Sequence, residues 1–503
     1  MDLPILLDST AAVPLYQQLY EQLRQAILRG RLRTDQSALA RSHQRLPSTR
    51  SLAKSLGVSR MTVTQSYDLL LSEGYLETRP GAGTYVCQEL PDRLLKASAV
   101  ASAEPLAAKV FLSAYGERVQ NAPARLPEID CDISFRYGRP ALDLFPAGLW
   151  RKLLSRYCRL ANHPEGQPGI DWMDYAPSPL GYEPLRAAIA TYLSQFRAVQ
   201  CQPDQILITN GTQQALDLIV RLLVSSTASS TDGIAMEDPG YLGARSIFRA
   251  SGAEVIAVPC DRDGLVVDKL DAYTPAPRLV YVTPSHQFPT GALLSLPRRL
   301  ALLQWAHDNG ALIIEDDYDS EYRYSGRPIP ALQGLDTQQS VLYVGTFSKV
   351  MFPSLRIGYL VLPPSLMTVF HKAKRLADRQ PPSLTQCVLA DFIHEGHLER
   401  HIRRMRTVYD RRRQALVEAL YRHFGEGVEI LGDSAGLHIM ARLPLALDDD
   451  DVIARAQTMG VAMFSARPQY GQPTRQGEFV FGYAELDEDT SAEAIRRVAD
   501  ALA

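Results

Sequence analysis

The chain has 503 residues, 46% of them hydrophobic and 22% charged, with 53 Lys and Arg against 56 Asp and Glu for a formal net charge of −3. That is too long for one ordinary domain and has the composition of a soluble globular protein, so two or three domains are expected. The overall charge says little about partners and leaves any attraction to nucleic acid to local excess. No stretch approaches the roughly 18 consecutive apolar residues of a membrane helix, and the first residues lack the basic start and apolar run of a signal peptide. Cys87, Cys131, Cys158, Cys201, Cys260 and Cys387 are scattered, with no C-x-x-C or Cys/His clustering. They read as buried thiols of a cytoplasmic protein, neither disulfide framework nor metal site.

The first expected domain is residues 1–88. Ser48-Thr-Arg-Ser-Leu-Ala-Lys-Ser-Leu-Gly57 reads as a capped helix stopped by glycine, and Val58-Ser59 as a tight turn. A second helix follows over residues 60–73 with Ser59 as its N-cap, which is helix-turn-helix spacing. Arg60, Thr62, Thr64 and Gln65 lie in its first turns, where side chains enter a major groove; Val63, Tyr67 and Leu70 form the inward stripe. Residues 74–86 then read as two short strands around a Pro-Gly turn, a winged hairpin with Arg79 near its tip to meet phosphate or the minor groove. From Arg24 to Arg79 ten Lys and Arg face four Asp and Glu, the local excess that phosphate contacts need.

This region resembles the winged-helix domain of GntR-type bacterial regulators, through Pro14-Leu-Tyr16, Leu46-Pro-Ser-Thr-Arg50, Leu52-Ala53, Gly57-Val-Ser-Arg60, Thr62-Val63 and Gly81-x-Gly-Thr-Tyr-Val86. The resemblance implies binding to double-stranded operator DNA and adds Arg50 to the expected contacts. One segment departs: where the family has a short Pro-Gly turn, this chain carries a longer basic loop, Arg33-Thr-Asp-Gln-Ser-Ala-Leu-Ala-Arg-Ser-His-Gln-Arg45.

Residues 89–128, rich in Ala, Pro and Ser, look like a flexible linker. The remainder, 129–503, is one long α/β region. Short β-branched runs recur at 206–209, 234–237, 255–258, 279–283, 312–315, 341–344 and 357–361 between amphipathic stretches. Such alternation implies a mostly parallel sheet covered by helices on both faces, with its site at the carboxyl ends of the strands. The acidic run Asp448–Asp451 is read as the start of a helix, its carboxylates complementing the amino terminus.

Lys349, in Gly345-Thr-Phe-Ser-Lys-Val-Met-Phe-Pro-Ser-Leu-Arg356, suits a lysine bonded to a phosphorylated aldehyde. Pyridoxal phosphate needs an amine for its imine, a carboxylate at the pyridine nitrogen, donors for the phosphate and an aromatic face for the ring. Lys349 can supply the amine and Asp316 the carboxylate, with Asp317 the alternative as a turn residue. The junction Asn210-Gly-Thr-Gln-Gln214 offers backbone donors and a helix dipole to the phosphate, and Thr346, Ser348 and Arg356 add hydroxyls and a guanidinium. Tyr241 can stack on the ring; Tyr318 can reach the phenolic oxygen or the imine edge.

The order of these motifs resembles fold-type I aminotransferases over roughly residues 130–503, and within them the aminotransferase-like domain of MocR-type regulators. The matches include Leu144-Phe-Pro-x-x-x-Trp150, Gly181-Tyr-x-x-Leu-Arg186, Thr209-Asn-Gly-Thr-Gln-Gln-Ala-Leu216, Glu237-Asp-Pro-Gly-Tyr241, Pro284-Ser-His-Gln-Phe-Pro-Thr-Gly291, Glu315-Asp-Asp-Tyr-Asp-Ser-Glu321 and the Lys349 segment. The resemblance implies that Lys349 forms the Schiff base and Asp316 meets the pyridine nitrogen. It gives Gly211, Thr212, Gln213, Ser348 and Arg356 to the phosphate and Tyr241 to the ring. It also implies a small carboxyl-terminal α+β part whose arginine meets a ligand carboxylate; Arg467 is expected there, with Arg475 second. Phe288 stands where aminotransferases usually have an asparagine for the cofactor's phenolic oxygen, a role for which Gln287 or His286 could substitute, His286 being otherwise a structural residue of the turn. The expectation is a homodimeric, DNA-binding transcription regulator that senses pyridoxal phosphate or an amino compound. The alternative is a working aminotransferase with an accessory docking module.

Overall fold

The structure is a computed structural model that describes residues 5–32, 45–87, 90–92, 111–122, 131–160, 172–225, 232–326, 329–472 and 476–503. The chain divides into two compact units, residues 1–110 and 111–503.

In the first unit, α1 (Leu15–Leu28), α2 (Thr49–Leu56) and α3 (Arg60–Ser72) precede the antiparallel pair β1 (Leu76–Arg79) and β2 (Gly83–Val86). Ser48 and Ser59 cap α2 and α3 as expected, their hydroxyls accepting from the amides of Ser51 and Thr62, and α2 ends at Gly57 with φ 69°. That left-handed conformation is the one glycine adopts without strain. Val63, Tyr67 and Leu70 pack inward with Leu19, Leu23, Leu52 and Leu76.

Both described parts of the expected linker are ordered. Leu90 is buried in the first unit's core, and Asp92 accepts from the Tyr75 hydroxyl and from Arg24. Further on, Ala114–Gln120 is a helix of the second unit, where Arg118 donates to the carbonyls of Ala250 and Ser251 at 2.9 and 3.3 Å. The basic loop lies outside the described residues except for Arg45, which bridges to Tyr85 on the wing.

The second unit opens with a two-residue strand, β3 (Ile133–Ser134), and is built on an eight-stranded sheet. Its strands are β4 (Ile206–Thr209), β5 (Gly233–Asp238), β6 (Glu254–Asp261), β7 (Gly264–Leu265), β8 (Leu279–Val282), β9 (Leu312–Asp317), β10 (Val341–Thr346) and β11 (Gly358–Val361), in spatial order 4-11-10-9-8-5-6-7. All seven β-branched runs are strands of this sheet. Strands β10, β9, β8, β5 and β6 run parallel, whereas β11 is antiparallel to both β10 and β4. Alternate residues serve opposite faces: Leu279 and Tyr281 join one core, Val280 and Val282 another.

The reversal from β10 into β11 has a consequence for the site. The chain leaves β10 at its carboxyl end, forms the 347–357 loop that carries Lys349 and Arg356, and returns beside β4, with Gly358 opposite Thr209. A small carboxyl-terminal layer adds an antiparallel sheet of β12 (Glu429–Leu431), β13 (His438–Arg442) and β15 (Glu478–Gly482). Beside it β14 (Val461–Ala462) pairs in parallel with β3. Asp448 caps the helix Asp449–Thr458 by accepting from the Asp450 amide, as the acidic run suggested. Of the six cysteines only Cys387 is buried; Cys158 is exposed and the others are intermediate, so the expectation of buried thiols holds for one. No described helix is long and apolar enough to cross a membrane.

Candidate functional site

On the winged-helix unit, Arg50, Arg60, Gln65 and Arg79 are exposed, Arg50 on α2 and Arg60 and Gln65 on the first turns of α3. The two threonines are half-buried and already engaged. The Thr62 hydroxyl lies 2.8 Å from Ser59 Oγ, and that of Thr64 donates to the Arg60 carbonyl at 3.0 Å. Arg79 holds Glu77 at 2.5 Å and lies over the Tyr85 ring at 4.9 Å, which stiffens the wing tip. Met61, 65% exposed at the start of α3, is a surface residue that the polar pattern passed over.

In the second unit, a cavity of about 320 Å3 opens at the carboxyl ends of β4, β8, β9 and β10 and brings together residues from Arg136 to His438. Neighbouring strands set its floor: Asp316 is the penultimate residue of β9, opposite Val344 of β10, and Lys349 follows three residues after β10 ends. The Asp316 carboxylate is buried. Its Oδ2 accepts from the Tyr281 hydroxyl at 2.7 Å, whereas Oδ1 has no partner. Burial pushes its pKa up to about 7, against the hydrogen bond from Tyr281. Desolvation likewise holds the Lys349 ammonium below the usual lysine range, opposed by Asp319 and Asp316; its Nζ donates to the Gly138 carbonyl at 2.7 Å.

At one end of the cavity Gly211 precedes the helix Thr212–Leu223 with φ 86°, and a Cβ there would lie 2.8 Å from the Arg356 guanidinium. Glycine is required both for the backbone conformation and for the approach of that arginine. Arg356 donates to the Asn210 carbonyl at 2.8 Å, and Thr346 and Ser348 are hydrogen-bonded to each other beside it. The first amides of the helix have no carbonyl one turn back, so this end is suited to an anion. Behind it, Asp378 accepts from Asn210 and Gln214 at 2.7 Å each and from the buried Lys374, which fixes the turn. No short-range pattern in the sequence marked that support.

The cavity's aromatic wall is Tyr137, Tyr241, Phe288 and Tyr318. Tyr241 receives the Gln213 side-chain amide at 2.9 Å, so Gln213 orients the ring in addition to its backbone's place in the turn. The Tyr318 hydroxyl is turned toward His286, at 2.9 Å from its carbonyl and 3.1 Å from Nδ1, and His286 in turn faces Asp319 at 3.1 Å.

Several expectations need correction. Gln287 cannot stand in for the missing asparagine: its amide donates to the Pro239 carbonyl after β5 and to the Phe288 carbonyl, and its oxygen accepts from Thr290. His286 sits behind Tyr318 and is absent from the cavity wall. Asp317 is no turn residue; it ends β9 and is buried against Arg197 at 2.7 Å and the Tyr343 hydroxyl at 2.6 Å. Arg467 does not reach the cavity: it lies along the acidic run, 3.0 Å from Asp448 and 3.7 Å from Asp449, where opposite charge at a helix start captures it. Arg475 lies outside the described residues. Arg136 also lines the cavity, and sequence reasoning missed it because nothing local links Phe135-Arg-Tyr137 to a strand more than 300 residues away.

Two family models cover most of the chain. Residues 15–86 match the bacterial regulatory proteins of the gntR family, and residues 172–498 match aminotransferase class I and II. The "Probable rhizopine catabolism regulatory protein MocR" of Rhizobium meliloti is 41% identical over 501 residues, spanning 99% of this chain and 96% of that one. This chain belongs to the MocR family of GntR-type regulators. The "HTH-type pyridoxine biosynthesis transcriptional regulator PdxR" of Corynebacterium glutamicum is 32% identical, spanning 100% of this chain and 99% of that protein. Among solved structures, the α-aminoadipate aminotransferase LysN from Thermus thermophilus, complexed with N-(5'-phosphopyridoxyl)-L-leucine, matches with a TM-score of 0.69 and 31% identity. The match covers 78% of this chain and 98% of LysN.

The regulator thus joins a DNA-binding helix-turn-helix unit to a fold-type I aminotransferase domain, and that domain implies dependence on pyridoxal phosphate. The residues present fit the cofactor: an unpartnered, buried carboxylate oxygen suits a protonated pyridine nitrogen, and a glycine turn beside an arginine suits its phosphate.

Proposed function

We propose that this MocR-type regulator holds pyridoxal phosphate at Lys349, and that occupancy of the cleft, by the cofactor alone or with an amino compound, changes how its winged helices engage an operator. When bound, the cofactor supplies an aldehyde that condenses with primary amines. The protein's residues do the rest. Asp316 Oδ1 would accept the pyridine N–H; Arg356, Thr346, Ser348 and the Gly211–Gln213 turn would hold the phosphate; Tyr241 would support the ring and Tyr318 would line its phenolic side. Lys349, lowered by desolvation, provides the amine. The observation that carries this reading is the pairing of Lys349 with the unpartnered Asp316 oxygen in one cavity, in a chain whose other unit is a winged helix.

On the DNA side, Arg60 and Gln65 of α3 read the major groove, Thr62 and Thr64 line its approach, and Arg50 and Arg79 meet phosphate or the minor groove. A homodimer acting in the cytoplasm would present two such units to paired half-sites. Gln213 and Arg356, exposed in the single chain, are the face that a second copy would cover. Gel-shift titration of the DNA upstream of the regulator's own gene, with and without pyridoxal phosphate, tests the reading. A cofactor-dependent shift at a defined site is expected, and failure to bind any such site in either condition sinks it. A working aminotransferase is the lesser reading, because Phe288 presents an apolar ring where a donor to the phenolic oxygen would stand. Steady turnover with amino acid and keto acid at about 1–1000 per second would favour it.

A further inference from the structure

We infer that Met61 reads the 5-methyl group of a thymine in the major groove, so that each operator half-site carries an A·T pair selected by apolar contact. The inference rests on the DNA-binding reading given above and adds the base chemistry that α3 of this chain selects.

Most of α3 is already committed to the fold. Val63, Ser66, Tyr67 and Leu70 are buried, the Ser66 hydroxyl lying 2.7 Å from the Tyr16 carbonyl and that of Tyr67 donating to the Pro47 carbonyl at 3.0 Å. Thr62 and Thr64 are half-buried, and their hydroxyls are spent on Ser59 Oγ and on the Arg60 carbonyl. The Arg60 Nε donates to Thr49 Oγ1 at 3.4 Å, which ties that side chain to the start of α2. Met61, Gln65 and Asp68 remain, all exposed, at positions i, i+4 and i+7, and they form one stripe along the helix.

A lone exposed apolar residue is ordinary on a protein surface. Met61 differs through its place. It is the only large apolar side chain exposed on α1, α2 or α3, and it stands in the first turn of the helix that enters the groove, between Arg60 and Thr62. Its unbranched thioether chain adapts its shape to an uneven apolar surface.

The edges of the base pairs offer one match for such a group. Every other major-groove feature is a donor or an acceptor, whereas thymine presents a methyl group. Met61 and Gln65 lie about 6 Å apart along the helix axis, and base pairs are stacked about 3.4 Å apart, so the two side chains reach neighbouring or next-but-one pairs. Among the described residues the Gln65 side-chain amide has no partner. It carries the donor and acceptor that the N6 and N7 edge of adenine requires. Asp68, next on the stripe, is anionic, which ends the part of α3 that can lie between rows of phosphates.

The test uses the full-length protein and the site that footprinting defines upstream of its own gene. Each thymine of one half-site is replaced in turn by deoxyuridine, which removes the methyl group and keeps the base pair. At one position the loss should weaken wild-type binding about three- to fivefold, the worth of one buried methyl. Met61→Ala should bind the parent site less tightly and be indifferent to deoxyuridine at that position, while Met61→Leu should keep the sensitivity. Because each comparison is made within one protein, a change in DNA shape caused by deoxyuridine is read equally by the wild type and by Met61→Ala. Binding to nonspecific DNA should be the same in all three proteins, since no charge has changed. The inference is overturned if the wild type ignores every replacement, if the half-site contains no thymine, or if Met61→Ala keeps the full sensitivity. Failure of the wild type to bind any defined site overturns the proposed function itself, and this inference with it.

Discussion

The two units build their working surfaces in opposite ways. On the winged helix the residues offered to DNA lie between Arg50 and Arg79, and each is placed by an element of its own neighbourhood: a serine cap, a glycine stop, a four-residue strand. In the cleft the wall runs from Arg136 to His438, and contacts such as Lys349 with Gly138, Arg356 with Asn210 and Asp316 with Tyr281 join strands or loops far apart in the chain. A surface made of consecutive turns fails locally when one residue is changed, whereas a surface made by topology tolerates loss of a neighbour and fails when a chemically unique group is lost.

Lys349→Ala is the harshest way to sharpen that contrast. Among the described residues no other lysine lines the cavity, so the visible absorbance of the bound cofactor should vanish and affinity should fall at least about a hundredfold, roughly 2.7 kcal/mol. The winged-helix unit should still shift nonspecific DNA. Retention of the band would show that another lysine is the anchor. Leu70→Ala is the counterpart in the first unit: the side chain is fully buried in that unit's core, and its loss should cost about 2–5 kcal/mol. Chemical denaturation should show an early transition that abolishes DNA binding while the cofactor absorbance persists.

Asp316→Asn separates affinity from stability. Cofactor binding should weaken about tenfold, since the neutral amide cannot stabilise the pyridinium charge. The cofactor-free protein should become more stable at high pH. Its folded-state pKa of about 7 lies above the ordinary carboxylate value, so folding disfavours the charged form; that penalty is fully present above pH 7 and absent below about 4. Stability of the wild type therefore falls as pH rises through this window. Asp316→Asn should flatten part of the slope, with Glu237, Glu315 and Glu321, which burial also raises to about 7, keeping part of the rest. An unchanged slope in thermal melts would contradict the assignment.

What was legible in the sequence follows the same division. Ser48, Gly57 and Ser59 announced two helix ends because capping is decided by the few residues around the cap, and the seven β-branched runs announced seven strands because burial on both faces leaves a continuous apolar signature. Lys349 and Asp316, which do line the cavity, could be singled out because each lies at or just beyond the carboxyl end of a strand and carries a recognisable chemical type. Arg467 was misplaced for a physical reason: an arginine near a proline in the last domain fits many positions, and it is the folded chain that brings Asp448 and Asp449 against it. Arg136 and the Lys374–Asp378 support of the phosphate turn were hidden because the pairing of β3 with β14 and the packing behind β4 leave no periodic mark.

Smaller effects refine the comparison. Ser59→Ala removes the acceptor for the Thr62 amide and should cost about 1 kcal/mol of winged-helix stability, measured by denaturation and mirrored in weaker operator binding. A value near zero would mean that Thr62 or solvent caps α3 unaided.

Arg467→Ala should do least, and that is its use. The guanidinium lies 40% exposed among Asp448, Asp449 and Asp450, a cluster that already complements the amino terminus of its helix, so its removal costs an exposed ion pair and nothing in the cleft. The melting temperature should fall by no more than about 2 °C. The affinity of the cofactor-loaded protein for amino acids should be that of the wild type, because Arg467 does not line the cavity. If instead Arg467→Ala weakens amino-acid binding about tenfold or more, the acidic run must release Arg467 when ligand binds, and the cavity is completed by the carboxyl-terminal layer.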